Sequence, residues 1–591
     1  MYLEKINSPR DMKGLSYSQL AELAKEIRER IIGVISKNGG HLGPNLGVVE
    51  ITLALHHCFD SPKDKIIWDV SHQSYTHKIL TGRREKFHTI NTPGGLAGFA
   101  LRTESEHDIF GSGHVGNALS VALGLAESRQ FTGKSFNVCA VIGDGTLSAG
   151  VSFEALNNIG YNQADLIVIL NDNKMSISPN VGAMSDYLKK LSDISVSGKP
   201  RRELGTIFEK LGFRYFGPID GHNVGQIIDT INQVRTLPGP KLIHVLTEKG
   251  KGFPHAEEDK AKWHQSAPFD KVTGEANGTG KTNYTKIFAE TFTQLAEKDQ
   301  KIIGITAAMA TGTGMIKFAE KFPKRFYDVG ISEQHAVTFA AGLALEGLKP
   351  CAAIYSTFLQ RAFDQVIQDV ALQELPVRFF IDKASLTDDG PTQCGILDYS
   401  YLRLIPNMTV MAAKDEAEFR DLIYTAVQYD KGPISLRYPR AAVVGVEMPQ
   451  ELKEMEIGKA ELLKEGEDVA IIGIGSMVQE AIRAGKILGE SGINASVVNA
   501  RFVKPLDEKL LMKEISKSGK VITMEENVVS GGFGSAVLEM IEKHGFGGKD
   551  IRVIAAQDRF YPNGDSKKMK IESGMTAENC VEIAKKILKK K

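Results

Sequence analysis

Two apolar runs, each ending in a cluster of glycines and oxygen-bearing side chains, constrain this chain more than any other feature. Val138, Ala140, Val141 and Ile142 lead into Gly143-Asp144-Gly145-Thr146, and Leu166 to Leu170 lead into Asn171-Asp172-Asn173, about 27 residues later. Between them Phe153-Glu154-Ala155-Leu156 has helical character, so the segment predicts a βαβ unit with two buried parallel strands. Open α/β sheets bind ligands at the carboxyl ends of such strands. There the glycines let backbone close on a phosphate, and Asp144 with Asn173 offers oxygens to a small hard cation. Mg²⁺ suits that donor set, because it binds through one or two protein oxygens together with the phosphates of its ligand. A lone Gly-Asp-Gly is a common turn; its pairing with Asn-Asp-Asn at this spacing carries the information.

A chain of 591 residues is too long for one core, and its length predicts several domains. The first module is read over 1–275, where the helical pattern from Leu20 to Ile27 gives way to alternating strands and helices down to Lys241–Thr247. A polar, glycine-bearing stretch from Lys271 to Asn283 reads as a linker. A second module over 284–445 opens with the strand Ile302–Thr306, and a third over 456–591 contains Val469–Gly475, Ala495–Asn499 and Lys520–Met524. Gly473-Ile474-Gly475 lacks the third glycine of a dinucleotide site and reads as a structural turn. The predicted fold class is α/β, with three doubly wound domains.

Composition removes several classes of function. Lys+Arg and Asp+Glu both number 72, which leaves no net field to gather nucleic acid. Five cysteines without paired spacing argue against a disulfide framework or zinc site, and Cys139 and Cys351 read as buried fillers. No apolar run approaches the roughly 18 residues of a membrane span. Met1 to Lys5 lacks the apolar core of a signal peptide. The expectation is a cytoplasmic enzyme with neither nucleic acid nor membrane as partner.

The strand-tip pair resembles the thiamine diphosphate motif of transketolase-like enzymes. Further segments narrow the resemblance to the 1-deoxy-D-xylulose-5-phosphate synthase family: Lys5-Ile-Asn-Ser-Pro-Arg10, Ser36-Lys-Asn-Gly-Gly-His-Leu-Gly43, Trp68-Asp-Val-Ser-His-Gln-Ser-Tyr75, Asp328-Val-Gly-Ile-Ser-Glu-Gln-His-Ala-Val337 and Tyr355-Ser-Thr-Phe-Leu-Gln-Arg361. The resemblance implies a diphosphate-binding domain, a pyrimidine-binding domain and a transketolase-like C-terminal domain, in a homodimer, with thiamine diphosphate between the first two domains of one subunit. It implies condensation of pyruvate with D-glyceraldehyde 3-phosphate, with loss of carbon dioxide, and a product used in isoprenoid and thiamine synthesis.

Roles follow residue by residue. Thiamine chemistry needs a carbanion at the thiazolium carbon, with the cofactor as electron sink. Glu333 occupies the position of the carboxylate that holds the aminopyrimidine in its imino form, and Phe358 that of the aromatic plate beneath that ring. His41, His72, His114 and His264 fall at family positions around the thiazolium and diphosphate, where imidazoles can move protons or hold phosphate. Glu333, His41, His264 and His114 are the expected catalytic groups. Val115, Gly116, Asp144, Gly145, Thr146, Asn173 and Phe253 join His72 in the cofactor set, with Asp144, Asn173 and Met175 as the Mg²⁺ set. Arg361 and Arg440 can offer planar forks to a substrate phosphate, and Tyr355 a hydroxyl near the reacting carbon.

The departures from the family pattern lie on the acceptor side. After His114 the chain reads Val115-Gly116-Asn117-Ala118 in place of Ser-Ser-Thr-Ser. The loop after Asp382 reads Lys383-Ala-Ser385 and Asp389-Gly-Pro-Thr-Gln393, with lysine for a bidentate arginine and Gln393 for a histidine. The stretch from Ser178 to Arg202 is shorter than the family's loop, by about 30 residues. Lys383, Asp389 and Gln393 therefore stand as acceptor-binding residues with altered chemistry. Two other readings stay open: ketol transfer or carboligation with a different aldehyde or sugar phosphate, and a non-catalytic paralogue. Retention of Glu333, Asp144, Asn173 and His41 argues against the last.

Overall fold

The computed structural model describes residues 1–177, 179–196, 206–276 and 282–589. Parts of the expected linker (277–281) and of the short loop (178 and 197–202), and Lys590 and Lys591, lie outside the described residues. The chain divides into two compact units, Met1–Thr279 with Gly330–Ser332, and Gly280–Val329 with Glu333–Lys591.

The first unit is built on one five-stranded sheet in the spatial order Lys65–Trp68, Val138–Gly143, Ile167–Asp172, Lys241–Leu246, Arg214–Asp220. All neighbours are parallel. Alternate residues leave each strand on opposite faces. Cys139, Val141, Ile167, Ile169, Ile243 and Val245 enter one core, while Val138, Ala140, Ile142, Val168, Leu170 and Leu242 enter another. This is why the strands read as continuous apolar runs, since both faces are covered. Helix Tyr17–Asn38 covers one face through Leu20, Leu23, Ile27 and Ile31, and starts at Ser16, whose hydroxyl accepts from the Gln19 amide. Helix Gly150–Asn162 makes the crossover between the two central strands, with Ala155, Leu156 and Ile159 against the other face.

The second unit contains two sheets. The larger orders its strands Phe502–Lys504, Thr409–Ala412, Ile434–Arg437, Arg378–Asp382, Lys349–Tyr355, Ile302–Thr306, Phe326–Asp328. The smaller orders them Glu461–Lys464, Ala495–Asn499, Val469–Gly473, Lys520–Val528, Asp550–Ala556. Both are parallel except at one edge each, where Phe502–Lys504 and Glu461–Lys464 run antiparallel to their neighbours. Phe502–Lys504 comes from the third sequence module yet completes the second module's sheet. The sequence reading did not anticipate this, because a three-residue strand carries no periodic signal. Gly475 turns the chain at φ +60° into helix Met477–Glu490, in agreement with a structural role for that glycine pair.

Candidate active site

In the first unit the strand tips meet as the sequence predicts. Gly143 pairs with Asn171 across the parallel ladder, which brings the two polar tips side by side. Asp144 Oδ1 accepts from the Gly145 amide at 2.9 Å, Oδ2 accepts from the Asn173 amide at 3.2 Å, and Asn173 Oδ1 accepts from the Met175 amide at 3.1 Å. Asp172, given no role from sequence, is the second acid here. It is 3% exposed, and its Oδ2 lies 2.9 Å from His244 Nε2, whose Nδ1 lies 2.6 Å from the Tyr215 hydroxyl. Burial, then the Asp172 charge beside it, pushes the Asp144 carboxyl up to about 8. Two adjacent buried carboxylates form a site that a divalent cation would relieve. Among the described residues no group of three or more His, Cys, Asp or Glu side chains is placed to hold a metal.

His41, His72 and His264 form a triangle, with ring centroids 5.3, 5.3 and 5.6 Å apart. Burial pulls both His72 and His264 well below the usual imidazole range, so both are neutral near pH 7. His72 Nδ1 is buried without a partner, a polar atom left for a ligand. Asn45 fixes the triangle's backbone, because its Nδ2 donates to the carbonyls of both His41 and His72 at 2.7 Å. The turn before His72 is strained: Val70 and Ser71 adopt φ +62° and +68°, at a cost on the order of 1–3 kcal/mol each. The Ala100 amide donating to Ser71 Oγ at 3.0 Å and the Gly113 amide donating to the Val70 carbonyl at 2.8 Å hold it there.

Asp69 organises the neighbouring loop. Its carboxylate accepts from the Gly116 amide at 3.0 Å, the Ala118 amide at 3.2 Å and the Thr146 hydroxyl at 2.7 Å. The Val115-Gly116 turn and the Gly145-Thr146 turn are thereby fixed to one side chain. Gly116 has φ +94°, and a Cβ there would lie 2.6 Å from Val151 Cγ1, so only glycine fits. The His114 carbonyl accepts from Ser112 Oγ at 2.9 Å and Asn117 Nδ2 at 3.1 Å, next to that turn. Phe253 sits in an aromatic cluster with Trp263 at 5.1 Å and Phe269 at 5.7 Å, and in this unit it is core packing. Lys249 completes the constellation. It is 2% exposed, its Nζ lies 3.0 Å from His264 Nδ1 and donates to the Ser176 carbonyl, and burial pulls it down to about 7.

In the second unit Glu333 begins helix Glu333–Leu345 and is 1% exposed. Arg361 Nε donates to Glu333 Oε2 at 2.8 Å. Burial raises the Glu333 carboxyl above its ordinary range, and the Arg361 charge opposes that rise. Phe358 and Tyr355 lie 5.6 Å apart by ring centroid at the end of strand Lys349–Tyr355. Lys383 follows strand Arg378–Asp382 in left-handed backbone, φ +54°, and is 6% exposed. Its Nζ sits 4.4 Å over the Tyr355 ring and donates to Asp389 Oδ2 at 3.3 Å. Arg440 NH1 donates to the same oxygen at 3.3 Å. Asp389 thus gathers two cations expected to meet a phosphate. Gln393 is 8% exposed in the same loop.

Asp69, Asp172, Asn45 and Lys249 went unassigned in the sequence. Asp69 lies inside a quoted segment, Trp68–Tyr75, and Lys249 four residues before Phe253, yet no spacing rule marks either. Their roles depend on contacts across 47 positions for Asp69 and Gly116, and 72 for Asp172 and His244.

Residues 3–204 and 194–247 match the family model described as 1-deoxy-D-xylulose-5-phosphate synthase. Residues 280–444 match the transketolase pyrimidine binding domain, and residues 458–580 the transketolase C-terminal domain. A protein named 1-deoxy-D-xylulose-5-phosphate synthase 1 from Geobacter sulfurreducens is 49% identical over 609 residues, covering 97% of this chain and 95% of its own. Proteins named 1-deoxy-D-xylulose-5-phosphate synthase from Desulforudis audaxviator and Thermomicrobium roseum are 47% and 49% identical, each over 98% of this chain.

Proposed function

The chain belongs to the 1-deoxy-D-xylulose-5-phosphate synthase family, and on that premise we propose that it condenses pyruvate with D-glyceraldehyde 3-phosphate, releasing carbon dioxide, as a thiamine diphosphate-dependent transferase. The observation that carries the reading is the buried Asp144–Asp172 pair beside Asn173, a strand-tip acid site in want of a cation. Asp144, Asn173 and Met175 would hold Mg²⁺, and His72, Val115, Gly116, Gly145 and Thr146 would receive the diphosphate. Bound thiamine diphosphate supplies the nucleophilic carbon and the electron sink that decarboxylation of a 2-oxo acid requires.

The remaining work falls to this chain's side chains. Glu333, held by Arg361, offers a carboxylate to the pyrimidine ring nitrogen, and Phe358 supports that ring. His41, His264 and His114 accept or return protons at substrate oxygens; the neutral imidazole of His264 suits this, since it offers one donor and one acceptor. Lys249 raises the local positive potential beside His264. Arg361, Arg440 and Lys383 draw in the acceptor's phosphate, while Tyr355, Asp389 and Gln393 orient its hydroxyls and carbonyl. The residues 1–275, 284–445 and 456–591 serve as diphosphate-binding, pyrimidine-binding and C-terminal domains of a homodimeric cytoplasmic enzyme.

A second reading, condensation with a different aldehyde acceptor, is favoured by Lys383, whose ammonium is engaged by Asp389 and the Tyr355 ring. Carbon dioxide release from labelled pyruvate, with product mass, decides between the two. Protein loaded with thiamine diphosphate and Mg²⁺ should release carbon dioxide and form 1-deoxy-D-xylulose 5-phosphate when glyceraldehyde 3-phosphate is added. Release without that product in the presence of glyceraldehyde 3-phosphate would favour the second reading, and no release would overturn both.

A further inference from the structure

The loop carrying Lys383, Asp389 and Gln393 is held by the third sequence module at four places, two on strand Lys520–Val528 and two on the segment 564–566. The Leu386 amide donates to Glu526 Oε1 at 2.9 Å, and the Val528 amide donates to the Ile396 carbonyl at 2.9 Å. The Asp388 carbonyl accepts from the Gly564 amide at 3.2 Å, and Asp388 Oδ1 accepts from the Ser566 amide at 2.8 Å. Leu386, Cys394 and Ile396 are buried among Met477, Met524 and Tyr561, in the core of that sheet. Gly390, at φ +93°, passes so near Asn563 that a Cβ would stand 2.6 Å from its Oδ1.

Glu526 is the pivot of this seam. It is 1% exposed in strand Lys520–Val528 and spends its second oxygen on Ser476 Oγ at 2.6 Å and Lys570 Nζ at 2.8 Å. Its backbone carbonyl accepts from Arg437 at 3.2 Å, and Arg437 NH2 also donates to the Gly395 carbonyl at 2.9 Å. Both ends of the loop, Leu386 and Gly395, therefore refer to one residue of the third sequence module. Every polar atom of the Glu526 carboxylate has a charged or backbone partner, a fixed arrangement able to hold a loop within the tolerance a binding site needs.

We propose that Glu526 is a positioning residue for the acceptor aldehyde: through the Leu386 amide it sets the loop bearing Lys383, Asp389 and Gln393. This rests on the function proposed above. It gives the third module a part in substrate choice, because a shift of the loop moves the acceptor's contacts while the groups assigned to pyruvate and cofactor stay in place.

The test compares wild type, Glu526→Gln and Asp388→Ala. The carboxamide introduced by Glu526→Gln has one acceptor oxygen and cannot serve the Leu386 amide, Ser476 and Lys570 together, while Asp388→Ala removes the Ser566 bond on an exposed side chain. The expected result is a rise of about tenfold in KM for glyceraldehyde 3-phosphate in Glu526→Gln, with KM for pyruvate within about twofold. Asp388→Ala should give a smaller change in the same direction. Deuterium exchange of the 384–396 backbone should quicken in both variants and that of 138–146 should not. Acceptor and pyruvate constants moving together, or unchanged exchange in 384–396, would overturn the proposal. Should the wild type form no product, the functional reading fails, and the exchange measurement still decides the anchoring. If Glu526→Gln does not fold, Asp388→Ala carries the same comparison.

Discussion

Arg361 donates from Nε to Glu333 Oε2 at 2.8 Å, so the arginine expected to grip a phosphate also holds the acid expected to activate the cofactor. Glu333 is buried and Arg361 half-buried, and the pairing balances a carboxylate charge that alone would be costly there. On the proposed roles, substrate binding and cofactor activation share one ion pair.

Removing Arg361 should show in the pH profile. Burial raises Glu333 and Arg361 opposes the rise, so Arg361→Met lifts the carboxyl further. Glu333 must be ionised to accept a hydrogen bond from the pyrimidine, so the acid limb of kcat against pH should move to higher pH. An unmoved limb with reduced kcat would show that Arg361 acts on substrate alone.

Glu333→Ala removes the carboxylate and leaves the strand-tip acids intact. Turnover should fall by about 10²-fold or more, the scale of a positioned acid–base group. Affinity for thiamine diphosphate by calorimetry should weaken far less. Near wild-type turnover would assign activation to another group.

Metal dependence follows from the Asp144–Asp172 pair. Thiamine diphosphate should bind only with a divalent cation, and Asp144→Asn should weaken binding in the presence of Mg²⁺ by lifting one charge from the donor set. Equal heats of binding with and without excess chelator would refute the metal assignment.

The acceptor loop predicts selectivity. Lys383 offers a point charge, already shared with Asp389, where the family has a planar fork. Losing one charge-assisted bond costs about 1.5–3 kcal/mol, roughly a 10- to 150-fold change in acceptor binding. Lys383→Arg with Gln393→His should raise kcat/KM for glyceraldehyde 3-phosphate over shorter or unphosphorylated aldehydes. An unmodified protein already strongly selective, and unimproved by the double change, would mark the loop as fully competent.

Glu525 gives a stability test away from these groups. It accepts from the Phe533 and Gly534 amides at 2.7 and 2.8 Å, and burial pushes its carboxyl up to about 8. A carboxyl raised in the folded state binds its proton more tightly there than in the unfolded chain. Its contribution is thus full below about 4.5 and is lost as pH rises to about 8. Thermal unfolding should show a smaller loss of Tm between pH 5 and 8 in Glu525→Gln than in wild type. Identical slopes would place the Glu525 carboxyl in its ordinary range.

The parts of the site legible in the sequence are local. Asp144 and Asn173 stand at the ends of apolar runs whose pattern is visible within about ten residues, and neighbouring parallel strands bring such tips together. Glu333 and the histidines are proposed from the segments around them. The second acid, Asp172, was visible as a residue but not as a partner, since its meaning comes from His244 on another strand. Lys249 carries no signal of its own in the sequence, and only the fold buries it against His264. Edge strand Phe502–Lys504 was hidden for the same reason, because its partner lies about ninety positions earlier.

That edge strand limits how the chain can be divided. A fragment ending near 445 would keep most of the seven-stranded sheet but strip Thr409–Ala412 of its neighbour, exposing a row of unpaired amides and carbonyls beside buried Val410 and Met411. Such a fragment offers a template for another copy to add a strand, so its natural fate is self-association. Recombination between relatives at the apparent module boundary would face the same penalty. A swap inside the second unit has to carry the three residues 502–504 along with the sheet they complete.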